Sequence, residues 1–295
     1  MPIMDATRRE RLIGVLCVAL SALAFGAMAI FGKLAFAAGV PLLTLLMVRF
    51  GIASAVMAGV MRWRGQPWPA SRDAAILLAM GGIGYVGQAS CYFGALQHAS
   101  AGLTALLLYL FPAIVTVLSA LIHRRAPSAL RLAAVALAFG GTVLTVGGDA
   151  SGSPLGIALG AGAALIYSIY ILVGAHVTAR VAAIPAATLV MLGATLGATG
   201  LAAIDGIALP TAAGAWVALL AIALVSTVAA ISLFFAGLRR LGPADASALS
   251  TLEPVTTIVL AALFLGETIT PVQTAGGAVI LAAVLILARA PGEAR

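Results

Sequence analysis

Apolar runs of helix length follow one another along this chain with only short charged or Gly/Pro-rich connectors between them, and that succession leaves few folds open. Cut at its charge clusters and turn residues, the sequence divides into ten segments, roughly 12–35, 41–61, 74–96, 101–122, 129–147, 154–176, 184–204, 212–237, 243–265 and 270–289. Each is close to the ~20 residues with which a helix crosses the hydrocarbon core of a bilayer. Only 8% of residues are charged and 63% are hydrophobic, against about 25% charged in a soluble domain, so water cannot be the solvent of this surface. In lipid the backbone must satisfy itself, which leaves helices or closed barrels, and a barrel would show alternating stretches of about 10 residues. The expectation is an all-α integral membrane protein with ten transmembrane helices. The longest connector, RWRGQPWPASRD at 62–73, has the prolines and charges of a surface loop. The basic start and first apolar run have the outline of a signal peptide. That run is about twice the length of an h-region and lacks a small-residue cleavage site, so it is expected to remain as the first helix.

Cytoplasmic connectors of membrane proteins accumulate Lys and Arg. Here Arg8, Arg9 and Arg11 precede the first segment, Arg62, Arg64 and Arg72 follow the second, and Arg124, Arg125 and Arg131 follow the fourth. Arg180, Arg239, Arg240, Arg289 and Arg295 continue the alternation, while the opposite connectors hold Asp149, Asp205 and Glu267. Both termini are therefore assigned to the cytoplasmic side of an inner (cytoplasmic) membrane. The same bias accounts for the net charge of +7, and nucleic acid is not expected as a partner.

An internal repeat carries more information. At an offset of 142 positions, YFGALQHASAGLTALLLYLFPAIVTVLSAL at 92–121 lies without a gap over FFAGLRRLGPADASALSTLEPVTTIVLAAL at 234–263. Gly14, Ala19, Leu23, Phe25 and Gly32 fall on Gly156, Ala161, Leu165, Tyr167 and Gly174 at the same offset. The chain reads as two copies of a five-helix unit, 1–147 and 154–295. Because five is odd, the second copy enters the membrane from the opposite face, which makes the repeat inverted. Secondary transporters obtain two alternative conformations in this way, with the solute held at midplane between the halves. The competing reading is that duplication only supplies a stable bundle.

The segment LEPVTTIVLAALFLGETITPVQTAGGAVILAAVLIL, with its Glu-Pro pair, LGE turn and Gly-rich last helix, resembles the closing signature of the EamA-type carriers of the drug/metabolite transporter superfamily. The resemblance extends over the whole chain and implies ten helices, two repeats, internal termini and an Arg in the second helix. It implies a carrier of small organic solutes: some members export amino acids, threonine or aromatic compounds, others carry nucleotide sugars, phosphorylated sugars or drugs. The first copy departs from the pattern, having LIHRRAP at 121–127 where an LGE-like turn is common and Phe111 where the second copy has Glu253.

Polar residues inside the segments mark the candidate site. Glu253 lies about ten residues into its segment, on the order of 15 Å deep. It reads either as a cavity group that titrates or meets an ammonium, or as a brace for Arg49 or for backbone freed by Pro254. Arg49 lies about eight residues into the second segment and is expected to point inward to a structural partner, a solute carboxylate being the alternative. Lys33 reads as an interfacial, snorkelling lysine. Tyr85, Gln88 and Tyr92 share one helical face, and their repeat mates are Thr227, Ala230 and Phe234. Tyr167 and Tyr170 form a second such pair, with mates Phe25 and Met28; Tyr109 and Ser250 lie in the fourth and ninth segments. Together these six helices are expected to enclose an aromatic-lined cavity. Pro112 and Pro254, one repeat apart, remove a mid-helix hydrogen bond each and are candidate hinges. The GxxxG spacings Gly156–Gly160 and Gly193–Gly197 read as close packing within one protomer.

Nothing supports an enzyme. His98, His123 and His176 sit near the ends of different segments, no Walker-type glycine loop is present, and Cys17 and Cys91 lie at different depths. No metal or other cofactor is expected. The reading is a carrier that exports a small organic metabolite, an amino acid that includes aromatic ones, by alternating access. A sugar-phosphate, nucleotide-sugar or drug carrier is the alternative within the fold, and a non-transporting scaffold or accessory subunit the alternative outside it. The partners expected are the solute and the bilayer, with a monomer favoured over a dimer.

Overall fold

Glycine, proline and serine cut the apolar runs where the chain has to turn. Ser153 caps a helix by accepting from the Gly156 amide at 3.2 Å, with Pro154 in the first turn, where its missing N–H is no loss. Gly242 takes φ +83° and Pro243 opens the next helix; only glycine enters that backbone region without strain. The computed structural model describes residues 2–99, 104, 107–124, 126–146, 152–265 and 269–289. In chain order its helices are α1 (Pro2–Gly26), α2 (Met28–Ala37), α3 (Leu42–Trp63), α4 (Ser71–Ala79), α5 (Val86–His98), α6 (Phe111–His123) and α7 (Ala129–Val146). They continue with α8 (Pro154–Thr178), α9 (Ala183–Asp205), α10 (Ala213–Ala223), α11 (Ala230–Leu241), α12 (Pro243–Leu249), α13 (Leu252–Leu265) and α14 (Pro271–Arg289). Two wide turns of π-helix, Met80–Tyr85 and Leu224–Ala229, join α4 to α5 and α10 to α11.

Among the described residues, seven stretches are long and apolar enough to cross a bilayer: 8–37, 42–63, 71–92, 154–178, 183–204, 213–241 and 243–264. The shorter apolar helices 111–123, 129–144 and 271–286 answer to the other three expected segments; residues 101–103, 105 and 106 of the fourth lie outside the described set. Ile204, Val217, Leu263 and Phe264 are more than two-thirds exposed, a surface that suits hydrocarbon. The chain is a multi-pass, all-helical membrane protein.

Helix pairing follows the repeat. α3 packs along α9, α1 along α11, α5 along α8, and α7 along α14. Exchanging the two halves at the 142-residue offset returns this same set of pairs. Small residues permit the closest approaches: a Cβ on Gly81 would collide with the Val190 carbonyl, and one on Gly193 with the Leu78 carbonyl. At α7/α14, a Cβ on Gly141 would lie 2.8 Å from the Gly276 carbonyl oxygen. Gly156 and Gly160 likewise face His98 and Leu107, so both GxxxG spacings pack inside the chain.

Three expected helices are interrupted. The run 12–35 is broken at Ala27, between α1 and α2. Turns at Tyr109–Leu110 and Ser250–Thr251 divide the fourth and ninth runs at corresponding places in the two copies. Pro112 and Pro254 therefore occupy the first turn of the half-helices α6 and α13, rather than the interior of a continuous helix. The missing amide falls where a helix has none to use, and the discontinuity is displaced a few residues upstream.

Gly193→Ala is expected to force α9 from the first π turn and α4, with a loss of about 1–3 kcal/mol, the usual cost of overpacking. Gly200→Ala on the same helix meets nothing within 4 Å and is expected to leave stability unchanged or improved; thermal melting in detergent compares the two.

Candidate functional site

Arg49 is an arginine in the middle of an apolar helix, 4% exposed, and its surroundings explain how it is tolerated. Its Nε donates to Thr227 Oγ1 at 2.8 Å, Nη2 donates to the Tyr85 hydroxyl at 2.7 Å, and Nη1 donates to the Met28 sulfur at 2.9 Å. The guanidinium carbon lies 4.7 Å from the Phe50 ring centroid and 5.7 Å from that of Tyr85. Tyr85 and Thr227 are repeat mates, and each belongs to one of the two π turns. One side chain thus ties the same point of both copies together. A π turn widens the helix and redirects its side chains, which is why such turns recur at functional positions. Arg49 is not paired to Glu253, the partner that the sequence offered.

From Arg49 a row of rings runs through the bundle. Phe50 meets Tyr85 edge-on at 5.1 Å, Tyr85 meets Tyr170 at 6.0 Å, and Tyr170 stacks on Tyr167 at 6.1 Å. Tyr167 meets Phe111 edge-on at 4.8 Å, and Phe111 meets Tyr109 at 6.1 Å. Tyr170 also stacks on Phe235 at 6.2 Å. Such offset and edge contacts hold the rings at fixed angles. Of the residues singled out from the sequence, Tyr109, Tyr170, Thr227 and Ser250 are buried. Phe25, Tyr85, Gln88, Tyr92 and Tyr167 keep part of their surface accessible in mid-helix. Thr227 is engaged by Arg49 and by its own bond to the Ile222 carbonyl at 2.9 Å; Ser250 donates to the Ala246 carbonyl at 2.9 Å. The Lys33 side chain lies outside the described residues.

Glu253 stands in the first turn of α13, half-buried, and among the described residues its carboxylate makes no ion pair or hydrogen bond. Backbone carbonyls around the Ser250–Thr251 turn are served by hydroxyls instead: Thr251 donates to Ala248 O at 2.6 Å, and Thr257 donates to both Glu253 O and Gly26 O at 3.1 Å. The last bond fastens α13 to the end of α1.

The sequence reading overlooked Asp245. All seven residues of the short helix α12 are buried, packed among α1, α6, α7, α8, α11 and α14. Asp245, 1% exposed, accepts from Arg11 Nη1 at 2.9 Å and from Arg131 Nε at 2.8 Å. This clamp joins α1, α7 and α12 at the end of the bundle where the chain starts. Arg240–Glu10 at 3.0 Å and Arg180–Asp73 at 2.7 Å lie at the same end, nearer the surface. The signal available in the sequence was Pro243-Ala-Asp245, a helix start with an acid in its first turn; the two arginines come from distant segments. The mate of Asp245 is Leu103, so the clamp belongs to one copy alone.

A buried arginine, a row of rings and a carboxylate that has no ion pair or hydrogen bond among the described residues are the candidates for a solute site in this multi-pass bundle. The EamA-like transporter family matches residues 12–147 and again residues 154–289. The chain belongs to that family, with two copies of its unit, and the family is one of membrane transporters of small solutes. One solved crystal structure aligns over 92% of this chain and 97% of its own, with a TM-score of 0.82 and 21% identity; at that identity the likeness concerns the fold. No curated protein matches the chain.

Two expectations follow. In a double-mutant cycle of Arg49→Ala with Thr227→Val, read by unfolding in detergent, the two effects should be non-additive by about 0.5–3 kcal/mol; additive effects would mean that the bond is not formed. Asp245→Asn should cost about 3–5 kcal/mol, because two arginines then face a buried neutral amide, and the melting temperature should fall accordingly.

Proposed function

We propose that this chain is a secondary carrier of the inner membrane that exports an amino acid, aromatic ones included, or a similarly amphipathic organic solute. The observation that carries the reading is the ring row from Phe50 to Tyr109, of which Tyr85 and Tyr167 keep accessible surface in mid-helix, as do Phe25, Gln88 and Tyr92. Apolar and aromatic walls with a few polar groups suit a solute that has an apolar body and a charged head. The chain acts as ten transmembrane helices in two inverted five-helix repeats, with both termini in the cytoplasm. In that orientation the α12 clamp ties α1, α7 and α12 together at the cytoplasmic end. Alternating access then requires α12 to leave its seat, with the turns before Pro112 and Pro254 as the hinges. The chain acts as a transporter and not as an enzyme.

A sugar-phosphate or nucleotide-sugar carrier needs free inward cations to hold phosphate. Arg49 has all three nitrogens engaged, which disfavours that class.

Purified protein in proteoliposomes should release preloaded radiolabelled phenylalanine or tyrosine at a saturable rate. Tyr92→Ala and Gln88→Ala should lower that rate by about tenfold or more while leaving the melting temperature within a few degrees, because losing one good contact to a solute removes about 1.4 kcal/mol or more of binding. Unaltered rates in both variants would remove this face from the site, and no saturable release of any amino acid would end the amino-acid reading.

A further inference from the structure

At the end of the bundle where the chain starts, the described carboxylates are already paired: Asp245 with Arg11 and Arg131, Asp73 with Arg180, and Glu10 with Arg240. The connector from α3 to α4 at that end holds three further arginines, Arg62, Arg64 and Arg72, all exposed. Among the described residues their side chains make no ion pair or hydrogen bond. Trp63, 83% exposed, and Trp68, 60% exposed, stand in the same connector, and neither indole N–H has a partner among the described residues. Water alone is a poor neighbour for two such rings, each a large apolar body with one donor.

This connector is held in shape. The Gly65 amide donates to the Arg62 carbonyl and the Gln66 amide to the Met61 carbonyl, both at 3.0 Å, with Gly65 at φ +61°. That pair of bonds fixes the direction in which the chain leaves α3, and Pro67 and Pro69 restrict the backbone that follows. The stretches 42–63 and 71–92 on either side are both long and apolar enough to cross a bilayer, so residues 64–70 lie at the boundary of lipid and water. At that depth tryptophan rings settle at the level of the headgroups, and a guanidinium fork matches the oxygens of a phosphate. The other basic connectors lack this combination: 124–128 contains no aromatic residue, and Arg180 is engaged by Asp73. We propose that Arg62, Trp63, Arg64, Trp68 and Arg72 form a binding surface for the headgroup of an anionic phospholipid in the surrounding leaflet. The arginines supply charge complementary to the phosphate, and the two rings set the depth at which it is met. This role concerns the seating of the protein in its bilayer and is independent of the solute.

Besides this pair the chain has one tryptophan, Trp216, which donates to the Pro210 carbonyl at 3.0 Å; Trp216→Phe leaves Trp63 and Trp68 as the indole reporters. The full-length Trp216→Phe protein is reconstituted in phosphatidylcholine vesicles in which a rising fraction of the lipid is either phosphatidylglycerol or phosphatidylcholine brominated high on its acyl chains, bromine being a contact quencher of indole fluorescence. Half-maximal quenching should need about fivefold less brominated phosphatidylglycerol than brominated phosphatidylcholine, or less still, fivefold being what one arginine near an anionic surface supplies. Raising the salt from about 0.1 M to about 1 M should shrink that ratio. Arg62→Gln, Arg64→Gln and Arg72→Gln together should bring it close to one. Arg8→Gln, Arg9→Gln and Arg124→Gln together, which remove as many exposed charges elsewhere at this end, should leave it unchanged. Equal quenching by the two lipids overturns the proposal, as does an unaltered ratio in the first set of variants. A ratio lost as much in the second set as in the first also overturns it, because the preference then belongs to the net charge of that end and not to this connector. Should the first set fail to fold, the ratio with the connector intact and its survival in the second set decide.

Discussion

Arg49 is the contact on which the centre of this molecule depends. A guanidinium inside hydrocarbon is tolerated only when its donors are occupied and its charge is spread, and here a hydroxyl, a phenol and a sulfur take the donors while Phe50 and Tyr85 lie against the cation. In return it fixes the π turns of both copies and the start of α2 relative to α3. The orientation of Tyr85, the first phenol of the row, follows from that bond. Removing the charge would release both copies at once.

Around this tie the duplicated backbone carries unequal chemistry. Tyr85, Tyr167, Tyr170 and Phe111 face into one row, whereas their mates are Thr227, Phe25, Met28 and Glu253. The copies share their pairing pattern, their π turns and the breaks before Pro112 and Pro254, which are backbone properties; the break at Ala27 belongs to the first copy alone. They differ in side chains, and that difference suits a lopsided solute. The clamp at Asp245 extends the asymmetry to the end of the bundle: a buried acid with two arginines joins three helices there, and its mate is a leucine.

Pattern alone announced the membrane, the helices, the duplication and the family, because those are properties of runs and spacings: apolar length sets a span, and an ungapped offset of 142 residues sets a repeat. Part of the row was also legible, since Tyr85, Tyr109, Tyr167 and Tyr170 stand inside apolar segments whatever their neighbours are. What each polar side chain touches was not. Arg49 and Glu253 were an obvious pair on charge grounds, yet Arg49 reaches across to Thr227 and Tyr85, residues separated from it by 178 and 36 positions. Asp245 was unremarked because its arginines lie 234 and 114 positions away. The breaks before Pro112 and Pro254 moved upstream because a half-helix can begin just ahead of a proline that needs no donor. Sequence by itself determined the solvent, the element type and the repeat, all of which follow from local periodicity. Tertiary structure decided which charges are spent and which are left over, because a partner at two hundred residues' distance exists only after the helices have packed.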